Sequence, residues 1–301
     1  MSKLVLFPGQ GAQYHEMAKD LYEHNDAAKE LLDTIFSYVD FDLKEIMFSE
    51  DDERLNNTAF TQPALFAHSL AVLKATGIKG DYLIGHSLGE LPALVHAGVL
   101  SLEDGVKAVA MRGRLMSEAK DGKMAAVIGM DKDKLEALCE SLSDDEEKVS
   151  PANINAPDQI VISGDAAKVD LFIDEAKAHG ARRVIPLKVS GAFHSHLMKD
   201  AQNSFETFLK DITFNDAEIP VIQNVSAEPE TNKEIIKQNL IQQITSPVRF
   251  VECVEKAVEL GVTESVEVGP KKVQTGLLKK ITKSVDTAHI DTVKEVDEYN
   301  E

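Results

Sequence analysis

The chain has 301 residues, 43% of them apolar, with 51 acidic against 32 basic side chains and a formal charge of −19. That balance opposes nonspecific binding to nucleic acid or anionic membrane, and any anionic ligand has to be met by a local basic cluster. No segment approaches the roughly 20 apolar residues of a membrane helix. The start MSKLVLFPGQG is a poor signal peptide, and two cysteines, Cys139 and Cys253, make no metal or disulfide framework, so a cytoplasmic protein is expected.

In chain order, Leu4–Phe7 reads as a short buried strand, PGQGAQ (8–13) as a Gly-rich turn, and the stretch after it as helix. The acidic runs at 51–53 and 144–147 read as solvated loops. DYLIGHS (81–87) is a second buried strand, running into the apolar helix LGELPALVHAG (88–98). From Lys123 the pattern changes to strand 124–130, helix 131–142, strand 149–155, strand 159–164, helix 165–179 and strand 182–189. That β-α-β-β-α-β order matches a ferredoxin-like unit. Beyond it, VTESVEVGP (262–270) is again strand then turn, VQTGLLKK (273–280) is helix, and the charged tail 291–301 is expected to fray. The predicted class is α/β. Residues 1–122 and 190–301 would form a core with a mostly parallel sheet, and 123–189 an inserted ferredoxin-like subdomain, with a ligand cleft between them.

Ser87 lies in GHSLG, flanked by Gly85 and Gly89, with a strand before it and a helix after it. A G-x-S-x-G on a strand-to-helix turn holds the serine Oγ out above the sheet, and a helix starting at Leu88 would aim N–H groups at an oxyanion there. A serine nucleophile needs a base, and there are nine histidines. His15, His24, His179 and His289 lie in polar surroundings and read as surface, while His68 and His96 lie on apolar helices. His86 precedes Ser87 on the strand, which turns its side chain to the opposite face. SGAFHSHLM (190–198), where the insertion returns to the core, leaves His194 or His196, and spacing does not choose between them. Further along, on a second helix, Gly105, Ala108, Arg112, Met116 and Ala119 form one row in which Arg112 is the only charge. A buried arginine needs an anion, either a protein carboxylate or a ligand, and its fork matches a carboxylate in bidentate fashion.

FPGQGAQ (7–13), FTQPA (60–64), GHSLGE (85–90), MRG (111–113), FHSHLM (193–198), SPVRF (246–250) and VEVGP (266–270) follow in one order across residues 4 to 280. In this the chain resembles the malonyl-CoA:acyl-carrier-protein transacylases of fatty-acid synthesis. The resemblance implies a hydrolase-like α/β core with the ferredoxin-like insertion. It places the nucleophile on Ser87 and the catalytic histidine on His194, making His196 a rim residue. It also places the oxyanion hole on the backbone N–H groups of Gln10 and Leu88, and the carbonyl that orients the histidine on Gln243. Arg112 would take the malonyl carboxylate, with Met116 and Phe193 lining the acyl pocket. In related polyketide acyltransferases A-F-H accompanies malonyl and A-S-H methylmalonyl units, so Phe193 would fill the space of an α-methyl branch. Where the family usually reads G-P-G-K, Lys271 replaces a glycine. If that glycine needs a positive φ, the turn has to differ here.

The activity so implied is transfer of malonyl from malonyl-CoA to the phosphopantetheine thiol of acyl carrier protein through a malonyl-serine. No metal or redox cofactor is expected, and neither nucleic acid nor membrane as a partner. A serine esterase or thioesterase on the same elbow is the alternative, but it leaves Arg112 and the insertion without a purpose. A non-catalytic thioester-binding component would not need Ser87 and His194 together. The exposed cations expected to steer the anionic partners are Arg182, Lys188, Lys271, Lys272, Lys279 and Lys280.

Overall fold

Leu4, Val5, Leu6 and Phe7 are all fully buried, as a strand covered by helices on both faces requires. In the computed structural model, which describes residues 2–119 and 121–301, they form most of β1 (Ser2–Phe7). The next strands along the chain are β2 (Tyr82–Gly85), β3 (Lys123–Ile128), β4 (Val149–Ala156), β5 (Gln159–Gly164) and β6 (Arg183–Pro186). Then come β7 (Val221–Ile222), β8 (Pro229–Glu230), β9 (Val262–Val268) and β10 (Asp286–Ile290). One sheet has the order β10-β9-β1-β2-β7-β8, parallel throughout except for β8 at its edge. β1 pairs with β2 in a register that sets Phe7 opposite Gly85, so both strands end at one level. The turn after each strand, one carrying Gln10 and the other Ser87, therefore opens at the same carboxyl end of the sheet, where parallel sheets bind their ligands.

Among the described residues the second sheet has the order β4-β5-β3-β6 and is antiparallel. Its alternation sorts two faces. Ala125 and Val127 of β3 pack with Leu135, Leu138, Val169 and Phe172 of the helices Lys132–Leu142 and Ala166–Glu175. Met124 and Ala126 face the other way and join the main core. This strand order and helix placement are ferredoxin-like, as expected. A short bridge ties the smaller sheet to the segment just before the helix Phe250–Glu259: Ile154 N–H donates to the Val248 carbonyl at 2.9 Å and Val248 N–H to that of Ala152 at 2.8 Å.

Several local expectations need correction. The stretch after PGQGAQ stays in turns until a helix begins at Lys19. The tail is a helix, Val293–Asn300, started by a Thr292/Glu295 capping box and anchored by the fully buried Val296. Lys271 holds φ at 58°, in the left-handed region that favours glycine, while its N–H donates to Asp291 Oδ2 at 3.0 Å. A positive φ at this position therefore does not by itself require a different turn. The lysine takes the left-handed conformation instead, at about 1–2 kcal/mol.

Candidate active site

β2 ends at Gly85, and the chain reverses within four residues. A Cβ on Gly85 would sit 2.0 Å from the Gly89 carbonyl carbon, and one on Gly89 would sit 2.5 Å from the Phe7 oxygen. Both positions need glycine. Ser87 itself takes φ 53°, a conformation an L-residue holds only when its surroundings fix it. A single 3-10 turn spans Ser87–Gly89, and the α-helix starts at Glu90, two residues later than expected.

Ser87 Oγ lies 2.8 Å from His194 Nε2, and His194 Nδ1 lies 2.8 Å from the Gln243 carbonyl. A carbonyl can only accept, so Nδ1 carries the proton and Nε2 presents its lone pair to the serine hydroxyl. Burial, and then the positive charge of Arg112, push the His194 imidazole down to about 3. It is a neutral base throughout the neutral range. His196 does not reach Ser87. It is exposed and pairs with Asp165 of the smaller sheet at 3.0 Å.

Arg112 is the bulkiest of the fully buried side chains. Its guanidinium donates to Gln62 Oε1 at 2.8 Å, Gln243 Oε1 at 2.7 Å and Ser87 Oγ at 3.0 Å. Among the described residues no carboxylate forms an ion pair with it. Burial lowers its pKa to about 10, so it stays charged at neutral pH. Its hydrogen-bond acceptors are thus all neutral, and the one charge that acts on it is that of the buried Glu90 carboxyl. Gly105, Ala108 and Met116 share the buried side of this helix, Leu102–Glu118, whereas Arg114 is exposed.

Gln10, Leu88, Met116 and Phe193 line one pocket with Ser87 and His194, completed by Gln62, His86, Met124, Asn153, Leu187 and Val189. All eight residues singled out in the sequence, Gln243 and Arg112 included, therefore meet at one place. His86 does not turn away as its strand position suggested. It borders the same pocket, but its Nε2 is engaged by Asn155 Oδ1 at 2.7 Å. Gln62, which aims the guanidinium, and Glu90 lie inside the motifs FTQPA and GHSLGE but had no role assigned there, and the buried Asn224 beside the elbow lies in no motif. Only the three-dimensional neighbourhood identifies them. Among the described residues no group of three or more His, Cys, Asp or Glu is placed to hold a metal ion.

The model of the acyl transferase domain family matches residues 5–297. A malonyl CoA-acyl carrier protein transacylase of Staphylococcus aureus (strain MRSA252) is 47% identical, over 100% of this chain and 99% of that protein. Its counterpart from Bacillus subtilis (strain 168) is 46% identical, over 95% of this chain and 93% of that protein. The crystal structure of an acyl carrier protein S-malonyltransferase from Vibrio cholerae superposes with a TM-score of 0.94 at 37% identity, covering 99% of both chains. Strand-ended elbow, carbonyl-held histidine and unpaired buried arginine thus recur in a chain that is similar along its whole length to enzymes of one kind, and it belongs to the malonyl-CoA–acyl carrier protein transacylase family.

Proposed function

We propose that the chain moves a malonyl group from malonyl-CoA to the phosphopantetheine thiol of acyl carrier protein, through an ester on Ser87, and so supplies fatty-acid synthesis. The observation that carries this reading is Arg112, fully buried, unpaired with any carboxylate among the described residues, and 3.0 Å from the nucleophile oxygen. An ordinary esterase has no use for such a charge. A malonyl thioester supplies both the carboxylate and, about three bonds away, the carbonyl to be attacked.

His194 Nε2 takes the Ser87 proton as Oγ attacks the thioester carbon, and the imidazolium returns it to the departing CoA sulfur. We assign the oxyanion to the backbone N–H groups of Gln10 and Leu88. They open from neighbouring strand ends, which supports the assignment. The carrier thiol then gives its proton to His194, attacks the ester carbonyl and leaves with the malonyl group, restoring Ser87. Gln243 fixes the histidine through a neutral carbonyl, which sets the tautomer but gives the imidazolium less charge stabilisation than a carboxylate would. No resident cofactor enters this scheme, and we place the enzyme in the cytoplasm, a reading supported by its two free buried thiols.

Intact mass spectrometry tests the scheme. Malonyl-CoA should add one malonyl group to the wild type and none to Ser87→Ala, and holo acyl carrier protein should then remove it. Release of the group to water at the same rate without the carrier would make the chain an esterase.

A further inference from the structure

Asn224, two residues beyond β7, is fully buried and does not itself line the pocket. Its Oδ1 accepts the Ser87 N–H at 2.8 Å, and its Nδ2 donates to the Gly85 carbonyl at 2.7 Å. Those two backbone groups stand on opposite sides of the bend at His86. The amide's orientation is fixed independently, because Gln243 Nε2 also donates to Oδ1 at 3.2 Å. The same Gln243 nitrogen donates to the Ser87 carbonyl at 3.0 Å. Asn224 is held in turn by its own backbone: its N–H donates to Glu90 Oε1 on the helix leaving the elbow, and its carbonyl accepts Arg249 N–H at 3.2 Å.

We propose that Asn224 is a positioning residue for the nucleophile: its side-chain amide spans the elbow and holds Ser87 in the left-handed conformation that keeps Oγ between His194 and Arg112. The inference rests on Ser87 being the nucleophile. A serine at φ 53° relaxes towards negative φ unless something opposes it, and two hydrogen bonds in a dry interior offset a penalty of that kind. Only a side chain with an acceptor and a donor about two ångströms apart can serve both groups. A carboxylate would turn lone pairs towards the Gly85 carbonyl, and a serine is too short to span the bend. Release of this clamp rotates the Ser87 peptide and swings Oγ off the line to His194, while Arg112, which does not contact Asn224 directly, keeps Gln62 on the helix Thr58–Thr76. Besides Ser87 itself, Arg112 is linked to Asn224 only through Gln243, whose Nε2 still has the Ser87 carbonyl as a partner.

The test compares wild type, Asn224→Ala and Asn224→Asp in single-turnover acylation by malonyl-CoA, followed by intact mass. A second assay uses an alkyl fluorophosphonate, which Ser87 attacks with loss of fluoride and which carries no carboxylate for Arg112. The maximal acylation rate of Asn224→Ala should fall about 10- to 100-fold, the usual effect of misplacing a reacting atom by an ångström or less. The half-saturating malonyl-CoA concentration should stay within about threefold, since Arg112 and its partner Gln62 make no direct contact with Asn224. Phosphonylation should fall in the same proportion. Asn224→Asp, which keeps the volume and the acceptor, should lie between. A folded variant, judged by circular dichroism and a cooperative melt, that acylates within about twofold of wild type overturns the proposal. So does one whose half-saturation shifts while its maximal rate holds. If neither variant folds, Asn224 belongs to folding and the proposal also fails. If the wild type forms no adduct, it is the functional reading that fails.

Discussion

Among the described residues the hydrogen-bond partners of Arg112 are three neutral oxygens, one of them that of Ser87. On the proposed reaction an incoming carboxylate would replace that oxygen and leave it free to attack. It would also neutralise a charge that helps depress the His194 imidazole, and so strengthen the base. Arg112→Ala should therefore cut malonyl transfer steeply, by about 10²-fold or more for a desolvated bidentate pair. Acetyl transfer should fall less or even rise, and parallel losses in the two kcat/KM values would make Arg112 structural. Phe193 sets the other limit of the pocket. It is 7% exposed and lines the wall beside His194. An α-methyl branch forced against the ring would cost about 1–3 kcal/mol, and Phe193→Ser should raise the methylmalonyl-to-malonyl ratio of kcat/KM by about 10-fold or more. An unchanged ratio in the folded variant would leave Phe193 as packing alone.

The helix Glu90–His96 follows the elbow directly and brings a carboxyl group into the interior with it. Burial pushes the Glu90 carboxyl up to about 7 against an ordinary value of 4.5. A folded pKa raised above the unfolded one gives stability that is complete below about pH 4.5 and is lost as pH rises through about 7. The shift amounts to about 3 kcal/mol at most, on 1.36 kcal/mol per unit. Glu90→Gln, which keeps the acceptor for Asn224 N–H, should therefore gain on wild type by up to that amount between pH 5 and pH 8 in urea melts. A constant difference would mean that Glu90 does not titrate in that range. Elements such as this helix, β1 and β2 were legible in the sequence because each is a run of apolar residues bounded by glycine or proline, and β9 because its valines lie between Gly261 and Gly269. β7 and β8, two residues each, and the half-exposed β10 were not, because a short edge strand buries too little to leave a pattern. The tail misled for a different reason: eleven mostly polar residues hide one buried valine and a capping box whose value depends on what lies beneath them. At the site, His194 was separated from His196 only by the family resemblance, whereas Ser87 and Arg112 could be picked out by chemistry and spacing. Gln62, Asn224 and Glu90 act through partners 50 to 139 residues away and could not.

At the scale of the molecule, the charge of −19 repels both CoA and an acidic carrier protein, so their approach depends on where the cations lie. All six candidates are exposed, but they are not equivalent. Arg182 and Lys280 both lean on Asp158, at 3.8 and 3.4 Å. Lys188 sits between Leu187 and Val189 of the pocket wall, and Lys271 reaches the Gly11 carbonyl beside Gln10. Lys188→Glu and Lys271→Glu should lower kcat/KM for the carrier protein about 10-fold at low ionic strength and flatten its salt dependence, more than the same changes at Arg182 or Lys280. Equal rates for all four variants at low salt would remove steering from the mechanism. The bridge between Ile154 and Val248 ties the smaller sheet to the segment that follows Gln243. Val248 follows Gln243 by five residues, β3 begins five residues after the helix that carries Arg112, and β6 ends seven residues before Phe193. The smaller sheet is thus joined by short connections to the segments that carry Gln243, Arg112 and Phe193. In mechanical terms these form one linkage: a displacement of the smaller sheet large enough to break that bridge would also pull on the carbonyl that sets the imidazole.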